Sequence, residues 1–523
     1  MRLLTLFLVA LALPAAHFDL LVRNARVVDG SGNAWMLADV GVRGGRIAAV
    51  GHLRGSTAER TIDANRRVLA PGFIDVHTHV ESNAETLSRG DNYLLDGVTS
   101  VVTGNCGGSR VNLAEWFERL RDVGLGLNLS SLIGHNSVRR EVIGTANRKA
   151  TAEEIERMQE LVDKGMRDGA VGFSTGLIYI PGTYSDTEEV VALAKAASRH
   201  GGVYASHMRD EGERITEAIA EAVEVGRQSG MRVQISHFKI DNRKLWGKST
   251  ESIALVERFR REGVDVVVDQ YPYDHSSTNL GITLPSWALA EGDEAIAERL
   301  KSPESRRRIK KEMAELLELK GRPDYSYARV AAYKPEPAYE GKTISEINRM
   351  RNRRATVENE IETVLELMEK GGAGMVYHSM SMEDVERIMK YPNTAVASDG
   401  GIREFGVGMP HPRSYGTNAR VLAEFVRERK VIGLEDAVRR MTSLPARTFG
   451  FGDRGLIREG FAADLVLFDP DRVRDKATYQ QPHQYSEGFD YVVVNGVIMV
   501  EEGRLTDARP GQVLHPSRPA DAP

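Results

Sequence analysis

From Phe18 the chain alternates apolar and polar positions over short stretches: "FDLLVRNARVVDGSGN", "ADVGVRGGRIAAVG" and "RTIDANRRVLAPGFIDVHTH". Period-two alternation broken by Asp-Gly and Gly-Gly turns predicts antiparallel β structure. The same texture returns near the C-terminus in "GLIREGFAADLVLFD" and "YVVVNGVIMVEEGRL". Neither end carries enough strands to close a core alone. The pattern therefore predicts one β-sandwich assembled from residues 17–68 and 446–513.

Between these ends the rhythm changes. Apolar strand candidates, "FIDVHTH", "TSVVTGN", "LSSLIGH", "AVGFSTG", "VYASHM", "VQISHF", "VDVVVDQ" and "TAVASDG", alternate with stretches of helical period such as "TAEEIERMQELVDKGMRDG" and "ERITEAIAEAVEVGRQSG". That is the pattern of an α/β chain forming a (β/α)8 TIM barrel, with its two parts at residues 69–284 and 355–445. A ninth candidate, "GMVYHSM", leaves the strand count open. Residues 285–354 break the rhythm. They are dense in charge and read as an inserted lid subdomain over the barrel mouth, or as a solvated helical excursion. Residues 514–523 read as a tail.

Composition narrows the partners. The chain has 523 residues, 41% hydrophobic and 27% charged, with a net charge of -5. No basic stripe with interleaved aromatics is present, so nucleic acid is not an expected partner. At the N-terminus, Arg2 precedes an apolar run from Leu3 to Leu13, then Pro14, Ala15 and Ala16. This is too short to cross a bilayer but suits a signal peptide over residues 1–16. It predicts a periplasmic or secreted protein without stable membrane insertion after processing, the alternative being a cytoplasmic one. Oligomeric state is left open.

The candidate chemistry lies at the ends of the barrel strands. The first ends in His77 and His79, the second in Cys106, the fifth in His207, the sixth in His237 and the last in Asp399. Barrel sites form at the C-terminal ends of strands, so these side chains converge on one mouth. Alternate strand positions face the same way, which lets His77 and His79 reach one ion together. Imidazole, thiolate and carboxylate make a donor set suited to zinc. Cys106 is the only cysteine, in "GNCGGS", where glycines permit close backbone approach. A nucleophilic Cys106 is the rival reading. "GFSTG" matches the elbow of serine hydrolases around Ser174, but a loop with Pro181 and Gly182 follows where a helix is needed. The better reading is a strand end.

"PGFIDVHTH", His207, His237 and "SDGG" resemble the metal-dependent amidohydrolase superfamily. "GNCGGS", "GFSTGLIY", "SHMRDEGE", "ISHFK", "YPY", "HPRSYGT" and "GFAADLVLFD" are similar to its N-acyl-D-amino-acid deacylase (D-aminoacylase) branch, across nearly all of the chain from Phe18 to about Leu514. The resemblance implies a tightly held zinc on Cys106, His207 and His237, and a second, weaker site on His77 and His79 with Asp399. It implies Asp399 as general base and Tyr179, Lys239, Tyr271, Ser277 and Arg413 as substrate-binding residues. The implied reaction is hydrolysis of N-acyl-D-amino acids to a carboxylic acid and a free D-amino acid. Related activities on dipeptides or cyclic amides are the alternatives. The loop before "HPR" is longer than usual in that branch, which bears on where Arg413 falls.

Overall fold

The computed structural model describes residues 16–516 of the chain. The predicted signal segment up to residue 15 lies outside the described residues, as does the tail beyond residue 516. The expected tail boundary shifts. Leu514 is buried and its N–H donates to Leu129 O at 2.7 Å, so the chain is still packed against the third barrel strand there.

Eight parallel strands run in chain order: Phe73–Asp75, Val98–Thr103, Asn128–Ser131 continuing as Ile133–Gly134, Gly172–Gly176, Val203–His207, Arg232–Ile235, Val266–Gln270 and Thr394–Val396. Leu132 carries the third strand from one hydrogen-bonded set to the next, its N–H donating to Thr103 O at 2.9 Å. The ring closes between the last strand and the first, where Thr78 bridges Gly400 and Asp399 N–H donates to His77 O at 2.8 Å. Asp75 reinforces this seam by accepting from Ser398 N–H at 3.0 Å and His77 N–H at 3.1 Å. These strands are buried along their length, as parallel strands covered by helices must be. The helix Ala152–Arg167 shows how the cover forms. Thr151 and Glu154 make a reciprocal capping box, and Met158, Val162, Gly165 and Met166 form the buried stripe.

The two chain ends share one nine-stranded sheet. Leu465–Phe468 pairs antiparallel with Val68–Pro71, which in turn pairs with His17–Val27. Inward residues from both ends, among them Leu20, Val40, Ile62, Leu465 and Val493, enclose their own apolar cluster. Across the sheet, Phe73, Phe468 and Phe489 pack edge to face and anchor it to the barrel.

The inserted unit is larger than its sequence boundaries of 285–354. It begins with strand His275–Asn279 and ends with Gly374–His378, and between them lies Ala328–Ala332; the three form an antiparallel sheet. "GMVYHSM" is therefore the central strand of the insertion and not a ninth barrel strand. The helix Val357–Met368, expected to resume the barrel, packs into the insertion's own core with Ile309, Met313, Val330 and Met375. The sequence hid this because "HSSTN" is polar and an amphipathic helix looks the same in either domain.

Candidate metal centre and active site

Three of the strand ends share an uncommon backbone conformation. Cys106, His237 and Asp399 have φ of 52°, 35° and 49°, left-handed values that L side chains rarely adopt. Each costs on the order of 1–3 kcal/mol and persists where surrounding structure fixes it. Around Cys106 that structure is glycine. A Cβ on Gly104 would sit 2.3 Å from Leu132 O, and one on Gly107 would sit 2.1 Å from Asn136 Oδ1. Ser174 completes the support. Its hydroxyl donates to Gly104 O and accepts from Gly107 N–H at 3.1 Å. Its bonds are spent holding the cysteine loop, and no helix follows the strand, so the serine-elbow reading is not met.

The six predicted ligands do converge. Cys106 Sγ lies 3.3 Å from His77 Nε2 and 3.6 Å from His237 Nε2, and His237 Nε2 lies 2.7 Å from His207 Nδ1. Asp399 Oδ1 is 3.1 Å from His79 Nε2 and 3.6 Å from His77 Nε2. Three sets, Cys106–His207–His237, His77–His79–Cys106 and His77–His237–Asp399, each have their ligand atoms within 4.8 Å of one another. Burial pushes the Cys106 thiol up, but the imidazoles of His77 and His207 outweigh it and hold the group well below the ordinary thiol range. Burial and the neighbouring His237 hold His207 towards its neutral form. Burial raises Asp399, yet Arg413 and His77 bring it well below the usual carboxylate range. The thiolate, the carboxylate and His207 are thus in forms a metal binds, whereas neighbouring anions outweigh burial at His77, His79 and His237 and hold those rings towards the charged form, so a metal bound there would displace their protons.

Two buried acids orient this cluster and were missed from sequence. Asp269 faces His77 Nδ1 at 3.2 Å and accepts from His237 N–H at 2.7 Å and Gln234 Nε2 at 2.7 Å. Glu211 approaches His237 Nδ1 at 2.9 Å and His207 Nε2 at 3.7 Å. Carboxylates behind imidazoles fix the ring tautomer that a ligand needs. The available signals were an acid ending the apolar run "VVVD" and the buried acid in "SHMRDEGE".

Arg413 is buried, its Nη1 3.0 Å from Asp399 Oδ2 and its guanidinium 4.5 Å above the Tyr271 ring. Its backbone N–H donates to His411 Nδ1 at 3.0 Å, and its Nη2 to Ser277 O at 3.3 Å. The long preceding loop therefore still delivers Arg413 to the mouth. Ser277 acts here through its carbonyl, since its hydroxyl donates to Met375 O at 2.8 Å. Tyr271 lies under Arg413, with no hydrogen-bond partner for its hydroxyl among the described residues. Tyr179 sets its ring edge against His207 at 4.7 Å and accepts from Thr278 at 3.1 Å. Lys239 is buried beside His237. Its Nζ has Glu211 Oε1 and His237 Nδ1 at 2.7 Å and His237 O at 3.1 Å. With the Nδ1 proton of His237 directed at Glu211, Nζ donates to Glu211 Oε1 and His237 O, which secures both groups and leaves its third donor uncommitted.

A family model described as an amidohydrolase family matches residues 60–500. The chain is 34% identical over 530 residues to a D-aminoacylase from Alcaligenes xylosoxydans xylosoxydans, covering 95% of this chain and 97% of that one. A solved structure of D-aminoacylase, described as having a binuclear metal centre with one-metal activation and second-metal attenuation, superposes with a TM-score of 0.81 at 34% identity, covering 95% and 100% of the two chains. An N-acyl-D-glutamate deacylase from Bordetella bronchiseptica, solved with zinc and a phosphonate mimic of the tetrahedral intermediate, gives 0.82 at 32% identity, again covering 95% and 100%.

Proposed function

Since the chain belongs to the amidohydrolase family, we propose that it hydrolyses the amide bond of N-acyl-D-amino acids, with zinc held by Cys106, His207 and His237 and with Asp399 as general base. The observation that carries this reading is the meeting of a lone thiol, four imidazoles and a carboxylate at one mouth, with Arg413 beside the carboxylate. The donor set fits zinc: one sulfur and two nitrogens leave a coordination position open, as in catalytic zinc sites. His77 and His79 with Asp399 supply the donors for a second, weaker site. A zinc ion held by Cys106, His207 and His237 would supply Lewis acidity towards the amide carbonyl and lower the pKa of water at the site towards neutrality.

The protein's own groups divide the remaining work. Asp399, held ionised by Arg413 and His77, takes the proton from the attacking water and returns it to the departing amine nitrogen. Arg413 offers a planar fork for the free α-carboxylate of the substrate, which also neutralises charge that would otherwise repel Asp399. Ser277 and Tyr271 hold that fork in place, and Tyr179 closes the side of the site against His207. Lys239 keeps Glu211 ionised and aimed at His237.

Paired N-acetyl-D- and L-amino acids, assayed on protein of measured metal content, test the proposal. Zinc near one per chain with turnover confined to the D partners supports it. Turnover of dipeptides or cyclic amides in preference would overturn the substrate assignment.

A further inference from the structure

Between the inserted unit and the barrel lies a cavity of about 250 Å³ lined by Arg243, Arg322, Arg329, His275, His378 and Asp324 among others. In a chain of net charge -5 its wall is cationic. Arg322 is only 6% exposed, and Nε and Nη2 of its guanidinium meet no hydrogen-bond partner among the described residues. Arg322 has no carboxylate within ion-pair distance among the described residues, although the other buried arginines, Arg139, Arg413, Arg440 and Arg454, each have one; of its two companions in the wall, Arg243 is exposed and Arg329 is half-buried with Nη1 donating to Gly341 O. Aromatic faces hold Arg322 in place, with Trp246 5.2 Å and Tyr327 4.9 Å away. Asp324, the acid in the wall, is engaged in accepting from Ser326 N–H at 2.9 Å.

A buried guanidinium without acceptors is costly unless an anion completes it. A buried guanidinium with aromatic support, in a wall shared with two further arginines, is the chemistry of carboxylate recognition. The cavity is also tied to the active site. His411 Nε2 donates to His275 O at 3.0 Å, while its Nδ1 accepts from the N–H of Arg413. Arg243 lies four residues beyond Lys239 on the same segment.

We propose that this cavity is a carboxylate-binding site in which Arg322, with Arg243 and Arg329, receives an anionic group distinct from the α-carboxylate at Arg413. The carboxylate comes either free from solution or from the substrate itself as a second acid group. The second source rests on the proposed function; the first does not.

The test uses the full-length, zinc-loaded protein and Arg322→Met, which keeps volume and removes the charge. Succinate binding is measured by calorimetry, and KM for N-acetyl-D-glutamate and N-acetyl-D-methionine by initial rates. If the source is free, succinate affinity falls at least tenfold in the variant while both KM values stay within about twofold. If the source is the substrate, KM for the glutamate derivative rises at least tenfold and that for the methionine derivative stays within about twofold. Either result supports the site. An equal rise for both substrates, or no change in any quantity, overturns it. Thermal melting separates a ligand role from a structural one. Removing an uncompensated buried charge leaves Tm equal or higher, whereas a drop in Tm marks a structural residue and contradicts the proposal. Arg322→Lys, which retains charge without the fork, gives an intermediate loss of affinity and serves if the Met variant does not fold. If the wild type turns over no N-acyl amino acid, the functional reading fails, and the calorimetry still decides the cavity.

Discussion

In the proposed reaction Cys106 holds zinc and Asp399 moves a proton, and substitution separates the two roles. Asp399→Asn preserves a hydrogen-bonding side chain beside Arg413 but cannot take a proton. Zinc content is expected to stay near that of the wild type while kcat falls by about 10²–10⁴, the usual scale for losing a general base. Wild-type turnover in that variant would remove Asp399 from the role. Cys106→Ala acts on the metal first, and elemental analysis after dialysis is expected to show zinc lost along with activity. A full zinc complement in Cys106→Ala would show that the sulfur is not a ligand. At this scale the sequence was most legible, because a single cysteine and a set of strand-end histidines are chemically conspicuous. Asp269 and Glu211 were not, since an acid's value as an orienting group depends on which imidazole nitrogen it faces. That is settled only when the strands are side by side.

The strands and loops carry the geometry that those residues need. Gly107 illustrates how strictly. It has a φ of +73° and no space for a Cβ against Asn136, so Gly107→Ala must move the cysteine loop. Zinc affinity is expected to fall at least tenfold in a protein whose circular dichroism remains native-like; unchanged affinity would show that the loop does not set the site. Gly108, by contrast, would place a Cβ in ordinary contact, 3.6 Å from Asn105 O, so its small size is not required there. The barrel strands were readable as apolar runs because both their faces are covered. The insertion was readable only as an interruption. Its first strand, "HSSTN", has no apolar face to betray it, and its boundary was accordingly drawn about ten residues late.

At the scale of the molecule, distant segments are joined by buried acids. Asp96 accepts from Asn418 N–H at 2.8 Å, Ala419 N–H at 3.0 Å and Ser486 Oγ at 2.7 Å, linking the start of the barrel, the helix that begins at Arg413 and the C-terminal segment. Burial pushes its pKa up from 3.8 to about 7, against the pull of these donors. The folded state then holds the proton more tightly than the unfolded state. The resulting stabilisation is full below pH 3.8 and is lost as pH rises through about 7. Asp96→Asn removes this linkage, so Tm plotted against pH is expected to be flatter in the variant than in the wild type over that window. Parallel curves would contradict the assignment. Such long-range ties, like the pairing of Leu465–Phe468 with Val68–Pro71, are invisible to local pattern, although shared strand texture at the two ends did announce that they belong together.

X-ray absorption at the zinc edge of the loaded enzyme examines the centre itself. A first shell with one sulfur at about 2.3 Å, accompanied by imidazole nitrogens at about 2.0–2.1 Å, is the predicted spectrum. A shell of nitrogen and oxygen alone, unchanged in Cys106→Ala, would contradict it.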